Sequence, residues 1–504
     1  MLSLATRIAV ALAALIVIDS LRFADPDLFV TLYAGREIAA HHGPPGVDTA
    51  SFSVAGQPWN DYEWLARWTA YEIVHVAGDS GLVVARGAVV AAILATLLFV
   101  SVSARGGAWS YGTAVALWTA AAGSYLLFRP TLVTFLAIAV LLAALDRWRC
   151  GARWPPWAIP LAIPLWANLH AGFALGVVLL GLLVAVGLAE RLVPAIGRLF
   201  GSGIPWTRSL PCFVASALLT GVHPLGYRQW GAVLGTIGGR FTPSLSEWRP
   251  LVEFGFREQA PVYLMMIVVI AALIAGRRRI AAFDVAASLM LGAAAFVRVR
   301  FVPLFALCAA LVLVRALPAI GETALGRRLA RFRDAPAALM AVVALVLAVF
   351  QFGVPDLRIR KIPVLAPVAA VSFLDANAIG GRVFTEYDWG GYVRWKIPDA
   401  TIFVDGRSDT VYPLPVIEDW AHVVNALGDW HAILDRYDAQ VIVLRRDQAV
   451  VPFLENDAGW IPAFGDPFAS VFVRNSPEHA ALIETLRAGR AVVPSVRPED
   501  YLGL

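Results

Sequence analysis

Long apolar runs recur along this sequence and limit what it can fold into. A helix that crosses the hydrocarbon core of a bilayer needs roughly 17 to 25 such residues. Hydrophobic residues make up 59% of the 504 positions and charged residues only 15%. Soluble globular domains are much less apolar than this. The sequence therefore predicts a polytopic α-helical membrane protein.

We predict about eleven transmembrane helices from these runs. They lie near residues 5–23, 81–103, 111–128, 131–146, 156–168, 171–190, 209–222, 261–276, 282–297, 301–317 and 336–353. The first run lacks the small-residue cleavage site of a signal peptide and continues into an acidic loop. We therefore expect it to remain in the chain as a span.

The charges between the runs predict one orientation. Alternate loops and span ends carry Arg7, Arg105, Arg147, Arg149, Arg153, Arg191, Arg198, Arg208, Arg277, Arg278, Arg279, Arg315, Arg327, Arg328, Arg331 and Arg333. The first long loop, 24–80, is acidic instead. Because basic loops stay in the cytoplasm, the N-terminus is predicted inside and the loops 24–80 and 223–260 outside. A cell (inner) membrane location follows.

The C-terminal residues form a second predicted domain. Residues 1–353 are the transmembrane domain, and an odd number of spans places residues 354–504 on the extracytoplasmic side. Strands are predicted at residues 383–384, 401–404, 440–444 and 470–473, with helices at 415–427, 429–437 and 477–488. This pattern indicates a mixed α/β domain large enough to have its own core.

The positions of the charges and cysteines exclude a nucleic acid partner, and also a disulfide framework or zinc site outside the membrane. The net charge of +4 comes from arginines in short loops, which is a topology signal, so we expect no nucleic acid partner. Cys150, Cys212 and Cys308 all fall in or beside predicted spans. They cannot form a disulfide framework or a zinc site outside the membrane.

Two carboxylates follow the first predicted span directly. Asp25 and Asp27 would lie at the edge of the hydrocarbon, where an ionised side chain costs free energy and so indicates a function. One carboxylate could deprotonate an acceptor, or the two could hold a divalent cation. Alternatively, Asp25 caps a helix that begins at Pro26. Asp61 and Glu63 are further acidic candidates in the same loop.

Three arginines are predicted near the outer headgroups. Arg129, Arg298 and Arg300 lie in short outer turns, where the planar guanidinium could clamp a lipid-linked phosphate. Alternatively, they extend to interfacial lipid phosphates or pair with a loop carboxylate. His170 and His223 are also on this face, and packing is the more frequent role for such histidines.

Three segments resemble one known family. They are Asp25-Pro26-Asp27 with Tyr33 and Arg36, Ser244-Leu245-Ser246-Glu247 with Arg249-Pro250, and residues 386–392 with Asp405-Gly406-Arg407. In this order they resemble the acidic, external-loop and acceptor-reading motifs of the GT-C superfamily of membrane glycosyltransferases. The likeness is above all to the catalytic subunit of oligosaccharyltransferase and its distant bacterial relatives.

The resemblance implies roles for these residues. Asp25, Asp27 and Glu247 would be catalytic, and could hold a divalent cation such as Mg²⁺ or Mn²⁺. Acceptor binding would fall to Asp388, Trp389, Tyr392, Asp405 and Arg407. The alternative for this last set is that the two aromatic rings pack inside the α/β domain and Asp405 pairs with Arg407.

The expected function is inverting transfer of a sugar or glycan from a polyprenyl-phosphate-linked donor to an unidentified acceptor, with membrane lipids as further partners. The sequence departs from the family where Leu126-Leu127 replace a second acidic pair and where the paired Trp before Asp388 is missing. The missing second acidic pair favours the alternative of a non-catalytic relative that binds lipid-linked glycan or scaffolds cell-envelope assembly. Because the paired Trp is missing, we do not expect Asn-glycosylation of sequons. A transporter is disfavoured because charges are scarce near the middles of the spans.

The orientation can be tested by labelling. A Cys introduced at Gly56 or Gly406 should react with a membrane-impermeant thiol reagent in intact cells or spheroplasts, whereas a Cys at Gly326 should be protected. The expectation follows from the arginine distribution. Labelling of the Cys at position 326, with protection of the Cys at position 56, would reverse the topology and every assignment to the outer face.

Overall fold

A computed structural model describes residues 2–21, 24–104, 107–151, 156–201, 203–238, 246–321, 327–328, 334–348 and 366–495. Ser244 and Leu245 of the external-loop motif and Gly326 lie outside the described residues. The chain divides into two compact units. The helical unit comprises Met1–Phe23, Val83–Val233 and Pro243–Ile359, and the sheet unit comprises Ala24–Leu82, Leu234–Thr242 and Arg360–Leu504.

Helices predominate among the described elements, and the strands are confined to the C-terminal region. The helices are α1 (Leu2–Asp19), α2 (Asp27–His41), α3 (Trp64–Ser103), α4 (Ala108–Ala122), α5 (Thr131–Arg149), α6 (Ala158–Leu169), α7 (Phe173–Leu192), α8 (Pro194–Leu199), α9 (Trp206–Leu219), α10 (Arg228–Gly238), α11 (Phe256–Ala275), α12 (Ala282–Val297), α13 (Val302–Gly321), α14 (Ala335–Ala348), α15 (Val368–Ala376), α16 (Gly390–Lys396), α17 (Leu414–Val424), α18 (Trp430–Arg436), α19 (Val451–Leu454) and α20 (Ala480–Arg487). The strands are β1 (Arg382–Thr385), β2 (Thr401–Ile402), β3 (Val441–Arg445), β4 (Trp460–Gly465) and β5 (Ala469–Arg474).

A described helix overlaps each of the predicted spans. Five helical segments are long and apolar enough to cross a membrane, namely Trp64–Ser103, Thr131–Arg149, Phe173–Leu192, Phe256–Ala275 and Val299–Ala319. The last of these is the most enclosed of the five, with 83% of its most apolar 18 residues buried, so α13 lies at the centre of the helical unit. The mostly helical membrane protein is confirmed, while the count of eleven and the orientation stay predictions.

Buried charges in the helical unit are paired. Arg315 of α13 donates to Asp146 of α5 at 2.5 Å and to Asp284 of α12 at 3.0 Å. Arg86 of α3 is 1% exposed and donates to two backbone carbonyls, those of Ile18 and Leu126. An unpaired ion among apolar helices costs several kcal/mol, so these contacts are required for the helices to pack.

The C-terminal α/β region is confirmed. Its five strands form one sheet in the order β2-β1-β3-β5-β4, in which β1 is parallel to β2 and β3, and β5 is antiparallel to β3 and β4. The four predicted strands are observed. The sequence did not predict β4, because Pro462 interrupts its pattern; an edge strand with a bulge tolerates this proline.

Part of the acidic first loop belongs to the sheet unit. The backbone N–H of Phe52 donates to the Ile402 carbonyl at 3.0 Å, and Ile402 donates to Ala50 at 2.9 Å, so this segment runs beside β2. Helix α2 packs against α16 at Gly391, where an added Cβ would lie 2.8 Å from a methyl group of Val30. Close packing of these two helices therefore requires glycine at this position.

One buried guanidinium joins this loop to the C-terminal residues. Arg407 donates to Asp405 at 2.9 Å, to Ser51 at 2.6 Å and also to Asp48. Two tyrosines complete what we call the Arg407 cluster: Tyr33 donates to Asp405 at 2.5 Å, and Tyr412 lies 2.8 Å from Arg407.

Burial raises the pKa of the Tyr33 and Tyr412 hydroxyls well above the usual range. Both phenols therefore stay protonated and able to donate. The side chains of Arg407, Asp405 and Asp48 are fully enclosed. Buried ions of this kind are tolerated only when their hydrogen bonds are satisfied by neighbours, as they are in the Arg407 cluster.

We expect Arg407→Lys to destabilise the sheet unit by about 3 kcal/mol or more. An ammonium group cannot reach Asp48, Asp405 and Ser51 together, so one carboxylate would stay buried without its cation. Thermal unfolding of the purified protein, with limited proteolysis of the sheet unit, measures the loss.

Arg382→Lys is the matched control. Arg382 also pairs with an aspartate, Asp438, at 2.9 Å, but both side chains are about half exposed. Exposed pairs contribute about 1 kcal/mol or less, so this variant should unfold close to the wild-type temperature. Equal unfolding temperatures for the two variants would mean that the Arg407 cluster is not needed for stability.

Candidate functional site

Glu247 bridges two of the predicted phosphate-binding arginines. Its Oε2 lies 3.2 Å from Nη1 of Arg129, and its Oε1 lies 3.2 Å from Nη1 of Arg300. We call these three side chains the Glu247 bridge. They are distant in sequence, and the helical unit brings them together. For both arginines, pairing with a loop carboxylate was one of the alternatives left open by the sequence.

Short structured turns position the bridge. Glu247 lies in a single 3-10 turn, Ser246–Trp248, and Arg300 lies in another, Val299–Phe301. The backbone N–H of Val299 donates to the carbonyl of Arg249 at 3.0 Å, which joins the two turns. Arg129 directly precedes Pro130, the N-cap residue of α5. Arg129 and Arg300 thus lie next to the starts of α5 and α13, and Glu247 is held in a 3-10 turn that is bonded to the turn of Arg300.

Trp248 supports the bridge from one side. Its side chain is buried, and the guanidinium carbon of Arg300 lies 4.1 Å from the centre of its ring. An arginine stacked on an indole is oriented and loses part of its hydration. The sequence analysis assigned Trp248 no role in the site, although its position directly after Glu247 in the external-loop motif was a signal for one.

The bridge remains accessible to a solute. The side chains of Arg129, Arg300 and Glu247 are 25%, 27% and 39% exposed. Two cations and one carboxylate leave a local positive charge. Guanidinium groups bind phosphate oxygens through paired N–H donors, so this arrangement can bind a phosphorylated ligand.

His170 lies near the bridge and is uncharged. Its Nδ1 accepts the backbone N–H of Gly172 at 2.8 Å and is also 2.8 Å from the Thr134 hydroxyl. Burial, with a contribution from the Arg300 cation, lowers the pKa of His170 to about 3. The imidazole is therefore neutral at physiological pH and adds no positive charge toward an anion.

Arg298 and His223 have different surroundings. The described ion pairs of Glu247 are with Arg129 and Arg300 and do not include Arg298, whose Nη1 is 3.4 Å from the Val297 carbonyl. His223 accepts the backbone N–H of Leu225 at 3.0 Å and stabilises a turn. The structure does not bring either residue into the bridge.

The acidic motif starts helix α2 in the sheet unit. Asp25 is buried, and its Oδ1 accepts the backbone N–H of Asp27 at 3.2 Å. This is the helix-start role that the sequence offered as the alternative for Asp25. The carboxylate of Asp27 is half-buried and lies against Gly406, so a Cβ added at Gly406 would collide with it. Exposed Asn60 is therefore a better labelling position than Gly406.

Asp61 and Glu63 form an ion-pair group within the same unit. Arg67 lies 3.3 Å from Asp61 and 3.4 Å from Glu63. Burial raises the pKa of Asp61 despite the nearby Arg67 cation. The arginine also lies over the ring of Trp59, at 5.3 Å. Packing and charge pairing with Arg67 therefore explain the positions of Asp61 and Glu63 in this structure.

The predicted acceptor residues are mostly internal. Trp389 and Tyr392 are 2% and 3% exposed in the core of the sheet unit, while Asp405 and Arg407 belong to the Arg407 cluster. Asp388 alone of the five is exposed. The packing alternative describes the other four side chains in this structure. Acceptor binding by the set stays a prediction, and Asp388 is its accessible member.

A metal ion does not fit the described contacts of Glu247. Among the residues that the structure describes, no group of three His, Cys, Asp or Glu side chains could hold a metal ion. Arg129 and Arg300 each lie 3.2 Å from the carboxylate, and their positive charges repel a metal cation from it. Cation binding by Asp25 and Asp27 stays a prediction.

Comparisons with known proteins match only at the level of structure. No protein-family model and no curated protein sequence matches the chain. The Archaeoglobus fulgidus oligosaccharyltransferase, solved with a tethered acceptor peptide containing the NVT sequon, aligns with a TM-score of 0.56 at 10% identity, over 93% of this chain and 74% of that one. Its complex with Zn and sulfate aligns at 0.50 and 11%, over 87% and 68%.

A second protein gives a similar result. The ArnT protein of Cupriavidus metallidurans, bound to undecaprenyl phosphate, aligns with a TM-score of 0.51 at 14% identity, over 94% of this chain and 98% of that one. At such identities the likeness concerns the fold alone. The resemblance predicted from the sequence motifs is confirmed at that level: this chain has a GT-C-like fold.

Proposed function

We propose that this protein is a GT-C-type glycosyltransferase that moves a sugar or glycan from a polyprenyl-phosphate-linked donor to an acceptor on the extracytoplasmic face. The observation that carries the proposal is the Glu247 bridge, in which Arg129 and Arg300 are paired, accessible and oriented in the helical unit. The GT-C-like fold supports the reaction class.

The chemistry assigned to the two arginines is charge stabilisation. In a single inverting displacement the acceptor nucleophile attacks the anomeric carbon, and the bond from that carbon to the phosphate oxygen breaks. The electron pair stays on the departing lipid phosphate. Fixed guanidinium donors stabilise this developing charge better than mobile water does. The neighbour bound to undecaprenyl phosphate supports a ligand of this class.

Asp25 is proposed to accept the proton of the acceptor nucleophile, with Asp27 as the second acid of the motif. Asp25 is 5% exposed, and the backbone N–H of Asp27 fixes the direction of its carboxylate. A base held in one orientation transfers protons more efficiently than a mobile one. Asp388, exposed beside the buried Trp389, is the residue proposed to contact the acceptor.

A non-catalytic role in binding lipid-linked glycan is the second candidate. One observation favours it: four of the five acceptor-motif side chains are used in packing or ion pairing within the sheet unit. A motif kept for the fold alone would persist after catalysis was lost. Under this role the Glu247 bridge still binds the lipid phosphate, but no sugar is transferred.

A turnover assay tests the proposal. Membranes containing the protein are given a panel of radiolabelled undecaprenyl-phosphate-linked sugars, and released undecaprenyl phosphate is measured. We expect release by the wild type and losses of about a hundredfold or more in Arg129→Gln, Arg300→Gln and Asp25→Asn, because each removes a charge-stabilising donor or the base.

Arg249→Gln is the matched control. Arg249 carries the same charge and lies two residues after Glu247, but its guanidinium is half exposed and pairs with Glu253 at 2.8 Å. It should release undecaprenyl phosphate at the wild-type rate. Wild-type turnover by the Arg129 and Arg300 variants would contradict the phosphate role. If the wild type and the variants bind the donor but none of them releases undecaprenyl phosphate, the non-catalytic role is favoured.

A further inference from the structure

We propose that Glu247 is a displaceable counter-ion, whose carboxylate occupies the place of the donor phosphate between Arg129 and Arg300 and moves away when the donor binds. The proposal rests on the phosphate role of the two arginines under the proposed function. It gives Glu247 a regulatory role at that site in place of the catalytic or metal-binding role that the motif predicted.

The geometry of the bridge matches that of a bound phosphate. Each carboxylate oxygen takes one guanidinium, both at 3.2 Å. Two arginines hold a phosphate in the same way, because each guanidinium binds a different oxygen of one anion. Strong charge-assisted bonds measure about 2.7 to 2.9 Å, so the observed contacts are long and can be replaced.

The carboxylate is the group best able to move. Glu247 is the most exposed of the three side chains, at 39%, and lies in a single 3-10 turn. The turn itself is anchored by the next residue, Trp248, which is buried and stacks under Arg300. Rotation of the Glu247 side chain therefore removes the carboxylate from both guanidinium groups without moving the backbone.

Charge balance gives the counter-ion a function. With no ligand, the carboxylate reduces repulsion between the two cations. The phosphodiester of a bound donor carries a negative charge as the carboxylate does and offers more acceptor oxygens, so it can replace the carboxylate between the two guanidinium groups. After transfer, the same carboxylate competes with the lipid phosphate product and promotes its release. Glu247 would thus set both anion selectivity and product release.

An alternative role predicts the opposite result. If Glu247 only orients the arginines, removing its charge disorders them and weakens phosphate binding. If it is a displaceable counter-ion, removing its charge removes a competitor and strengthens binding. The sign of the change in affinity therefore separates the two roles.

The test measures binding of undecaprenyl phosphate to the full-length protein in nanodiscs, so it does not depend on turnover. We expect Glu247→Gln to bind about tenfold more tightly than wild type and to release the lipid more slowly. Glu247→Asp, which is one methylene shorter and cannot reach both arginines, should bind with intermediate affinity. Arg129→Gln and Arg300→Gln should each bind at least tenfold more weakly.

Glu253→Gln is the control for a general charge effect. Glu253 belongs to the same external segment and pairs with exposed Arg249, so its removal should leave the affinity unchanged. Equal or weaker binding by Glu247→Gln, with weaker binding by the arginine variants, overturns the counter-ion proposal and leaves the phosphate site standing. Unchanged binding by both arginine variants overturns the phosphate site and this proposal together.

Discussion

The organisation of the sheet unit depends on the buried guanidinium of Arg407. Its bonds to Asp405, Asp48 and Ser51 join two segments that lie more than three hundred residues apart in the chain. Tyr33 of α2 donates to the same Asp405, so the helix that follows the acidic motif is fixed by the same set of bonds. The position of Asp25 and Asp27 is therefore determined by residues of the C-terminal sheet region.

The ion pairs around Arg315 and around Glu247, both in the helical unit, differ in exposure, and this difference identifies the candidate site. Around Arg315 the side chains are at most 11% exposed and the contacts measure 2.5 and 3.0 Å, which is the pattern of a structural pair. Around Glu247 the side chains are 25% to 39% exposed and the contacts are long. Accessible, loosely held cations beside a buried tryptophan are suited to an anionic ligand, whereas enclosed ones are suited to packing.

The sequence predicted the apolar helices, three helices of the C-terminal region, four of the strands and the residues of the Glu247 bridge, because apolar period and charge pattern are local signals. It did not predict which arginine pairs with Glu247. Arg298 and Arg300 are the same residue type two positions apart, and only the turn at Val299–Phe301 distinguishes them. Nor could it show that Asp48, Ser51 and Tyr412 surround Arg407. Those contacts depend on long-range packing, which no local pattern in a single sequence encodes.

The central claim is that Arg129 and Arg300 bind the phosphate of a polyprenyl-linked donor. A cryo-electron microscopy structure of the protein in nanodiscs with undecaprenyl phosphate tests it most directly. We predict phosphate density within hydrogen-bonding distance of both guanidinium groups, with the Glu247 carboxylate turned away from them. Lipid phosphate density at another position, with Glu247 still bridging the two arginines at 3.2 Å, would contradict the account.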